Sequence, residues 1–210
     1  MQAVILAGGL SRRLGGESKA GLLVGGETLL ARAVRTAQNA IDAEPGGDAA
    51  GRVAVVGPVE QLAAWLGPGA LSGRLKLVQE DPPHSGPAAG LAAGLAVLDG
   101  VEGRVLVLAC DMPEAGRLVP LLADAVAGCG DDEGVMAVDG GRRQPLAAIY
   151  PLAPLRAAVE AARAAHQLEN AAVFSLVASV NTKECAVPAG LAADIDTWDD
   201  ARLYGIDAPV

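Results

Sequence analysis

The sequence predicts an α/β fold: a single, mostly parallel twisted sheet with helices on both faces. Three observations lead there. Short apolar runs alternate with amphipathic stretches along most of the 210 residues. The runs are apolar on both faces, as strands covered by helices must be. Asp139-Gly140-Gly141, followed by Arg142 and Arg143, reads as a tight turn between two strands, which places an antiparallel pairing in the sheet. A hydrophobic fraction of 51% and a mean hydropathy of +0.34 supply one substantial core. No Pro/Ser-rich or charged linker divides the chain, so residues 1–210 are read as one domain.

Taken in order, Ala3 to Leu6 is a strand and Leu29 to Ile41 a helix. Val53 to Val56 and Gln61 to Leu66 repeat the pair, as do Leu75 to Val78 and Pro87 to Leu98. The continuous apolar strand Val105 to Ala109 leads to a helix from about Pro113 to Ala127, then to strands Val135 to Val138 and Leu146 to Tyr150. Beyond Tyr150 the pattern predicts helices near Ala153 to Ala165 and Glu169 to Ala178, a polar strand at Thr182 to Val187, and a last helix after Thr197. Gly86, Gly90 and Gly94 have GxxxG spacing, but their apolar segment is about a dozen residues against the ~20 needed to cross a bilayer. Close helix packing inside a core is the reading, with no membrane partner.

Composition excludes other classes. A net charge of −9 with two Trp, two Tyr and one Phe leaves neither a basic face nor stacking platforms for nucleic acid. Cys110, Cys129 and Cys185 are odd in number and lack CxxC spacing, which points to a reducing, cytoplasmic setting rather than a disulfide framework or a zinc site. Arg12-Arg13 is followed by no apolar segment, so a twin-arginine export signal is set aside.

In a parallel sheet, ligands collect at the carboxyl ends of the strands. The first strand ends in Leu6-Ala7-Gly8-Gly9-Leu10-Ser11-Arg12-Arg13-Leu14-Gly15-Gly16-Glu17-Ser18-Lys19. Glycines let amides approach a phosphate closely, and Arg13 and Lys19 neutralise it. Three basic residues against Glu17 give residues 8–19 a net charge of +2 inside an acidic chain. Lysine occurs at only three positions, 19, 76 and 183, so its use here favours a compact charge on a flexible stem. Neither GxGxxG nor GxxxxGK[ST] is present.

Strand Val105 to Ala109 delivers Asp111 at its C-terminal end, ahead of Met112 and Pro113. That carboxylate either holds Mg²⁺ against substrate phosphates or caps the following helix. Asp194 and Asp196 share one side of an extended segment, and they either add a metal contact or serve the cap of the last helix. In the rigid loop Asp81-Pro82-Pro83-His84-Ser85-Gly86-Pro87, Gly86 and the amides after it can receive a base edge or an anion. His84 reads as a solvated loop residue rather than a base, and Cys110 as a buried small residue rather than a nucleophile. Arg142 and Arg143 either face an anionic second substrate or are simply solvated.

Four motifs in order, Leu6-Ala7-Gly8-Gly9-x-Ser11-x-Arg13-Leu14-Gly15 with Lys19, then Asp81 with Gly86-Pro87-Ala88-Ala89-Gly90, then Asp111-Met112-Pro113, then Gln144-Pro145-Leu146, resemble the molybdenum cofactor guanylyltransferase family of nucleotidyltransferases. The resemblance implies a Rossmann-like nucleotidyltransferase domain. It implies transfer of GMP from GTP to the phosphate of molybdenum-molybdopterin, with release of pyrophosphate and transient contact with molybdoenzymes or cofactor-handling proteins. Leu6, Ala7, Gly8, Gly9, Ser11, Arg13, Lys19, Asp81, Gly86 and Asp111 are then expected around the nucleotide. Arg13, Lys19 and Asp111 are the catalytic set, and Mg²⁺ is held by Asp111 with Asp194 or Asp196. Two positions depart from the family pattern. Ser18 stands where the family has Asp before the lysine, and Asp194-Ile195-Asp196-Thr197-Trp198 replaces Asn-x-Asn-Thr-Pro, closer to cytidylyl relatives. The alternatives are a related enzyme using CTP or another phosphorylated acceptor, and a catalytically silent GTP-binding or cofactor-chaperone protein.

Overall fold

The structure, a computed structural model, describes residues 1–9, 14–44, 51–67, 73–98 and 102–206. Nine strands and seven helices follow one another among them: β1 Gln2–Leu6, β2 Leu23–Val24, β3 Glu27–Thr28, α1 Leu29–Asp42, β4 Val53–Val56, α2 Val59–Leu66, β5 Leu75–Val78, α3 Pro87–Ala96, β6 Arg104–Ala109, α4 Ala115–Val126, β7 Gly134–Asp139, β8 Arg142–Pro151, α5 Leu152–Ala164, α6 Val173–Leu176, β9 Thr182–Ala186 and α7 Trp198–Leu203. Seven strands form one sheet in the order β5-β4-β1-β6-β8-β7-β9. β1 pairs in parallel with β4 on one side and β6 on the other.

Alternation along β1 divides the core. Ala3 and Ile5 face a layer that includes Leu30 and Val34 of α1, Leu62 of α2 and Leu118 of α4. Val4 faces the opposite layer, with Leu91 and Leu95 of α3, Leu155 of α5 and Val173 of α6. Every strand side chain from Ala3 to Ile5 is fully buried, which is why the run carries no polar residue. Gly90 and Gly94 bring α3 down onto the sheet: a Cβ at Gly94 would lie 2.6 Å from Val4 Cγ1, and one at Gly90 would meet Leu6. Close packing in a core is thus the use of the GxxxG spacing, and among the described residues no helix is long and apolar enough to cross a membrane.

Gly140 and Gly141 take positive φ (54° and 78°) in the turn that joins β7 to β8, as the sequence predicts. Arg142 and Arg143 open β8 rather than lying in the turn. β8 runs antiparallel to β6 as well as to β7, one antiparallel pairing more than expected. The β7–β8 register shifts between Met136 and Ala137, opposite Pro145. Proline has no N–H for the ladder, so it sits at the irregularity, where Tyr150 donates its hydroxyl to the Pro145 carbonyl at 2.9 Å.

Three other expectations change. The helix expected from Glu169 to Ala178 shortens to α6 and a 3-10 turn. Asn170 takes φ 55°, and this stretch bonds across to the α3 entrance instead: Asn170 N–H donates to Ser85 O (2.7 Å) and Ala88 N–H to Ala171 O (3.3 Å). Pro113 lies before α4, in a turn closed by Ala115 N–H and Met112 O. The small β2–β3 hairpin, turned by Gly25 and Gly26 at φ 60° and 85°, was not expected, although Gly-Gly is a hairpin signal.

Candidate active site

The connections leaving β1 and β6 diverge to opposite flanks of the sheet, one through α1 to β4 and the other through α4 to β7, although both helices pack on the same face. A crevice forms at such a divergence. Here it is a cavity of about 680 Å³ at the carboxyl ends of these strands. Leu6 aligns with Ala109, and Cys110 N–H donates to Leu6 O at 3.0 Å, so the glycine loop and Asp111 emerge side by side.

Of the residues expected around the nucleotide, Leu6, Ala7, Gly8, Gly9, Lys19, Gly86 and Asp111 line this cavity, and so do Asp194 and Asp196. Ser11 and Arg13 lie outside the described residues. Asp81 is exposed and stands outside the wall; its neighbour Glu80 lines it, as does His84. His84 stays an exposed loop residue at the cavity's edge, as the sequence predicts. Its φ of 64° turns its amide onto Glu80 Oε1 at 3.0 Å.

Lys19 begins a 3-10 turn, Lys19–Gly21, whose amides of Gly21 and Leu22 bond back to Ser18 and Lys19. Trp65 of α2 packs on this turn so closely that a Cβ at Gly21 would sit 2.6 Å from the indole nitrogen. The lysine then reaches two carboxylates from distant parts of the chain, donating to Asp111 Oδ2 at 2.8 Å and Asp196 Oδ1 at 2.6 Å. This contact sets aside the helix-cap reading of Asp111. No side-chain cap is made at the start of α4, and the carboxylate faces the lysine.

The late acidic segment is placed by its middle residue. Ile195 is fully buried with Leu29, Ala201 and Ile206, and its N–H donates to Asp111 O at 3.0 Å. Asp194 and Asp196, on either side of it, both line the cavity. Capping falls to Thr197 and Asp200, which exchange a capping box at the start of α7. Asp139 holds the approach to this segment, accepting the amides of Gly190 (3.0 Å) and Ala192 (2.9 Å).

Burial pushes the Asp111 carboxyl above its usual range, the Lys19 ammonium offsets this only in part, and the Asp194 charge adds to the rise. For Lys19, burial alone would lower the ammonium, but Asp111 and Asp196 prevail and raise it. Burial pushes the Cys110 thiol well up, which agrees with its reading as a packed small residue rather than a nucleophile. Among the described residues no three His, Cys, Asp or Glu side chains form a metal cage. Two carboxylates converging on one cation do suit an ion that takes its remaining ligands from substrate phosphates and water.

Gln144, Pro145 and Leu146 also line the cavity, at the irregularity of β8. Arg143 points elsewhere, pairing with Glu184 at 2.6 Å in an exposed position. The wall residues that sequence reading missed, Glu80, Val56 and Ala20, carry no motif and arrive through the register of β4, β5 and the 3-10 turn.

Residues 3–180 match the family described as the MobA-like NTP transferase domain. A probable molybdenum cofactor guanylyltransferase of Opitutus terrae is 31% identical over 90% of this chain and 85% of its own length. A molybdenum cofactor guanylyltransferase of Acidiphilium cryptum is 33% identical over 73% of this chain and 68% of its own. Among solved structures, molybdopterin-guanine dinucleotide biosynthesis protein A of Archaeoglobus fulgidus superposes with a TM-score of 0.60 at 20% identity, covering 97% of this chain and 96% of that one. The 4-diphosphocytidyl-2C-methyl-D-erythritol synthase of Anaerococcus prevotii gives 0.68 at 15% identity, covering 97% and 95%. These two likenesses establish the fold.

Proposed function

The chain belongs to the MobA-like NTP transferase family and is a nucleotidyltransferase, and from that premise we propose that it transfers GMP from GTP to the terminal phosphate of molybdenum-molybdopterin, releasing pyrophosphate. The observation that carries this reading is the meeting of the glycine loop after β1, Lys19, Asp111 and Asp196 in one cavity at the sheet's divergence point. Its volume suits a nucleotide together with part of an acceptor.

The acceptor phosphate is an anion near neutral pH, so no general base is needed. An acceptor oxygen attacks the α-phosphorus in line as the bond to the β-phosphate oxygen breaks, and pyrophosphate carries away the electron pair. The chain's part is positioning and charge neutralisation. Gly8 and Gly9 let the loop backbone approach the nucleotide, and a Cβ added at Gly8 would lie 3.8 Å from Gly57 Cα, ordinary contact distance. The Lys19 ammonium, joined by Arg13 from the sequence pattern, balances the charge that builds on the leaving pyrophosphate. Asp111 with Asp196 is the pair suited to hold Mg²⁺, which when bound would polarise the α-phosphate and neutralise its oxygens.

The test is mass analysis of products after incubation with Mg²⁺, an equimolar mixture of nucleoside triphosphates and molybdenum-loaded molybdopterin. The guanine dinucleotide is the expected product. A cytosine dinucleotide would overturn the choice of base, and bound GTP without any dinucleotide would overturn transfer to this acceptor.

A further inference from the structure

Lys19 stands where the proposed reaction needs a metal. Its ammonium lies within hydrogen-bond distance of Asp111 Oδ2 and Asp196 Oδ1 at once, at 2.8 and 2.6 Å. The three residues come from the first, middle and last parts of the chain, and the fold brings them to one point. The side chains of Lys19 and Asp111 are only 19% and 16% exposed, and that of Asp196 is 44% exposed. Two carboxylates this near each other in a partly desolvated site repel unless a cation lies between them, and Asp194 adds a further negative charge on the same wall. The ammonium meets that need in the nucleotide-free protein. A divalent ion bound through the same two oxygens makes the same demand on them, and two cations cannot share that space without strong repulsion.

We propose that Lys19 is a placeholder cation, which holds Asp111 and Asp196 together until a divalent metal arriving with the nucleotide displaces it onto the phosphates. This rests on the guanylyl-transfer reading of the site. The four-carbon stem gives the ammonium reach, and its turn is braced from behind by Trp65, so the charge can move while the backbone stays. The consequence is an order of assembly. Metal alone must evict a paired ammonium and binds weakly, whereas metal with nucleotide offers the evicted ammonium a new anion. The metal site is then complete only when substrate is present.

The test uses metal without nucleotide. Calorimetric titration with Mn²⁺ is expected to show binding about tenfold or more tighter in Lys19→Met than in wild type, because no ammonium has to leave. Lys19→Arg, which keeps the charge, is expected to stay near wild type. Circular dichroism establishes that each variant is folded. Displacement itself is read from the ε-methylene resonances of ¹³C-labelled lysine, of which the chain has three. Saturating Mg²⁺ should shift the Lys19 signal and leave those of Lys76 and Lys183 in place. An Mn²⁺ affinity no higher in folded Lys19→Met, or a Lys19 resonance unmoved while Mg²⁺ binds, overturns the proposal. Guanine dinucleotide formation by wild type alongside either result would show that only the placeholder role has failed. Absence of dinucleotide alongside the expected titration and shift would show that the transfer reading has failed instead.

Discussion

At the scale of single residues, the lysine at position 19 carries more of the argument than any other side chain. It is one of three lysines among sixteen basic residues, and it is the one placed against two carboxylates. If its ammonium balances charge growing on pyrophosphate, Lys19→Ala should raise KM for GTP and lower kcat by about ten- to a hundredfold, with Lys19→Arg recovering part of the rate. Steady-state kinetics of the two variants check this, and unchanged constants would leave the phosphates to the loop backbone. Gly8 tests the base. Its position has no positive φ, and the nearest atom an added Cβ would meet is Gly57 Cα at 3.8 Å, so the protein itself accommodates a methyl group. Gly8→Ala is therefore expected to melt with the wild type while its kcat/KM falls more for GTP than for CTP, since the added Cβ meets the nucleotide alone. A parallel loss with both nucleotides would move Gly8 away from the base. Lys19 and Asp111 were legible in the sequence because each ends a strand or loop with an out-of-place charge. Glu80 was not, because the adjacent Asp81 carries the same charge in a loop whose direction only the fold determines.

At the scale of elements, α3 shows how sequence pattern and packing coincide. Its glycines at 90 and 94 replace side chains where Val4, Leu6 and Val56 press upward, and this sets the height of the helix whose N-terminus forms one cavity wall. Gly94→Val must push α3 off β1 and is expected to cost about 1–3 kcal/mol, read as a lowered denaturation midpoint with unchanged m-value. The strands were readable because burial on both faces leaves no polar residue between Ala3 and Ile5 or between Val105 and Leu108. The stretch from 167 to 172 was not. Its composition is helical, but its backbone groups find partners at Ser85 and Ala88, a tertiary preference that local pattern does not contain. The placement of Gln144-Pro145-Leu146 lies between these cases: the motif was legible as part of the family resemblance, and only the pairing of β8 with β7 shows the irregularity at which it sits.

At the scale of the whole molecule, the sheet gathers an early loop, a middle strand end and a late acidic segment into one site, and the electrostatics of that site govern its response to pH. Burial raises Asp111 above the ordinary aspartate value of 3.8. Its ionised form is therefore a cost to stability near neutrality, relieved as pH falls through the folded value. Lys19 has the opposite effect: raised above 10.5, it contributes stability that is present below that value and lost as pH climbs through its own. If Asp111 holds the metal in its ionised form, as proposed, the acid limb of the kcat/KM profile should lie above pH 3.8 and move with Asp111 rather than with exposed acids. A limb at or below the ordinary aspartate range would contradict this. The claim that joins all three scales is that Asp111, at the divergence of β1 and β6, is where nucleotidyl transfer takes place. It is tested most directly by following pyrophosphate release with GTP, Mg²⁺ and molybdenum-molybdopterin in wild type and in Asp111→Asn. The expected result is one pyrophosphate per acceptor guanylylated by the wild type, and a folded variant slowed at least about a hundredfold, because an amide lacks the charge the metal needs. Near-native pyrophosphate release by Asp111→Asn would contradict it.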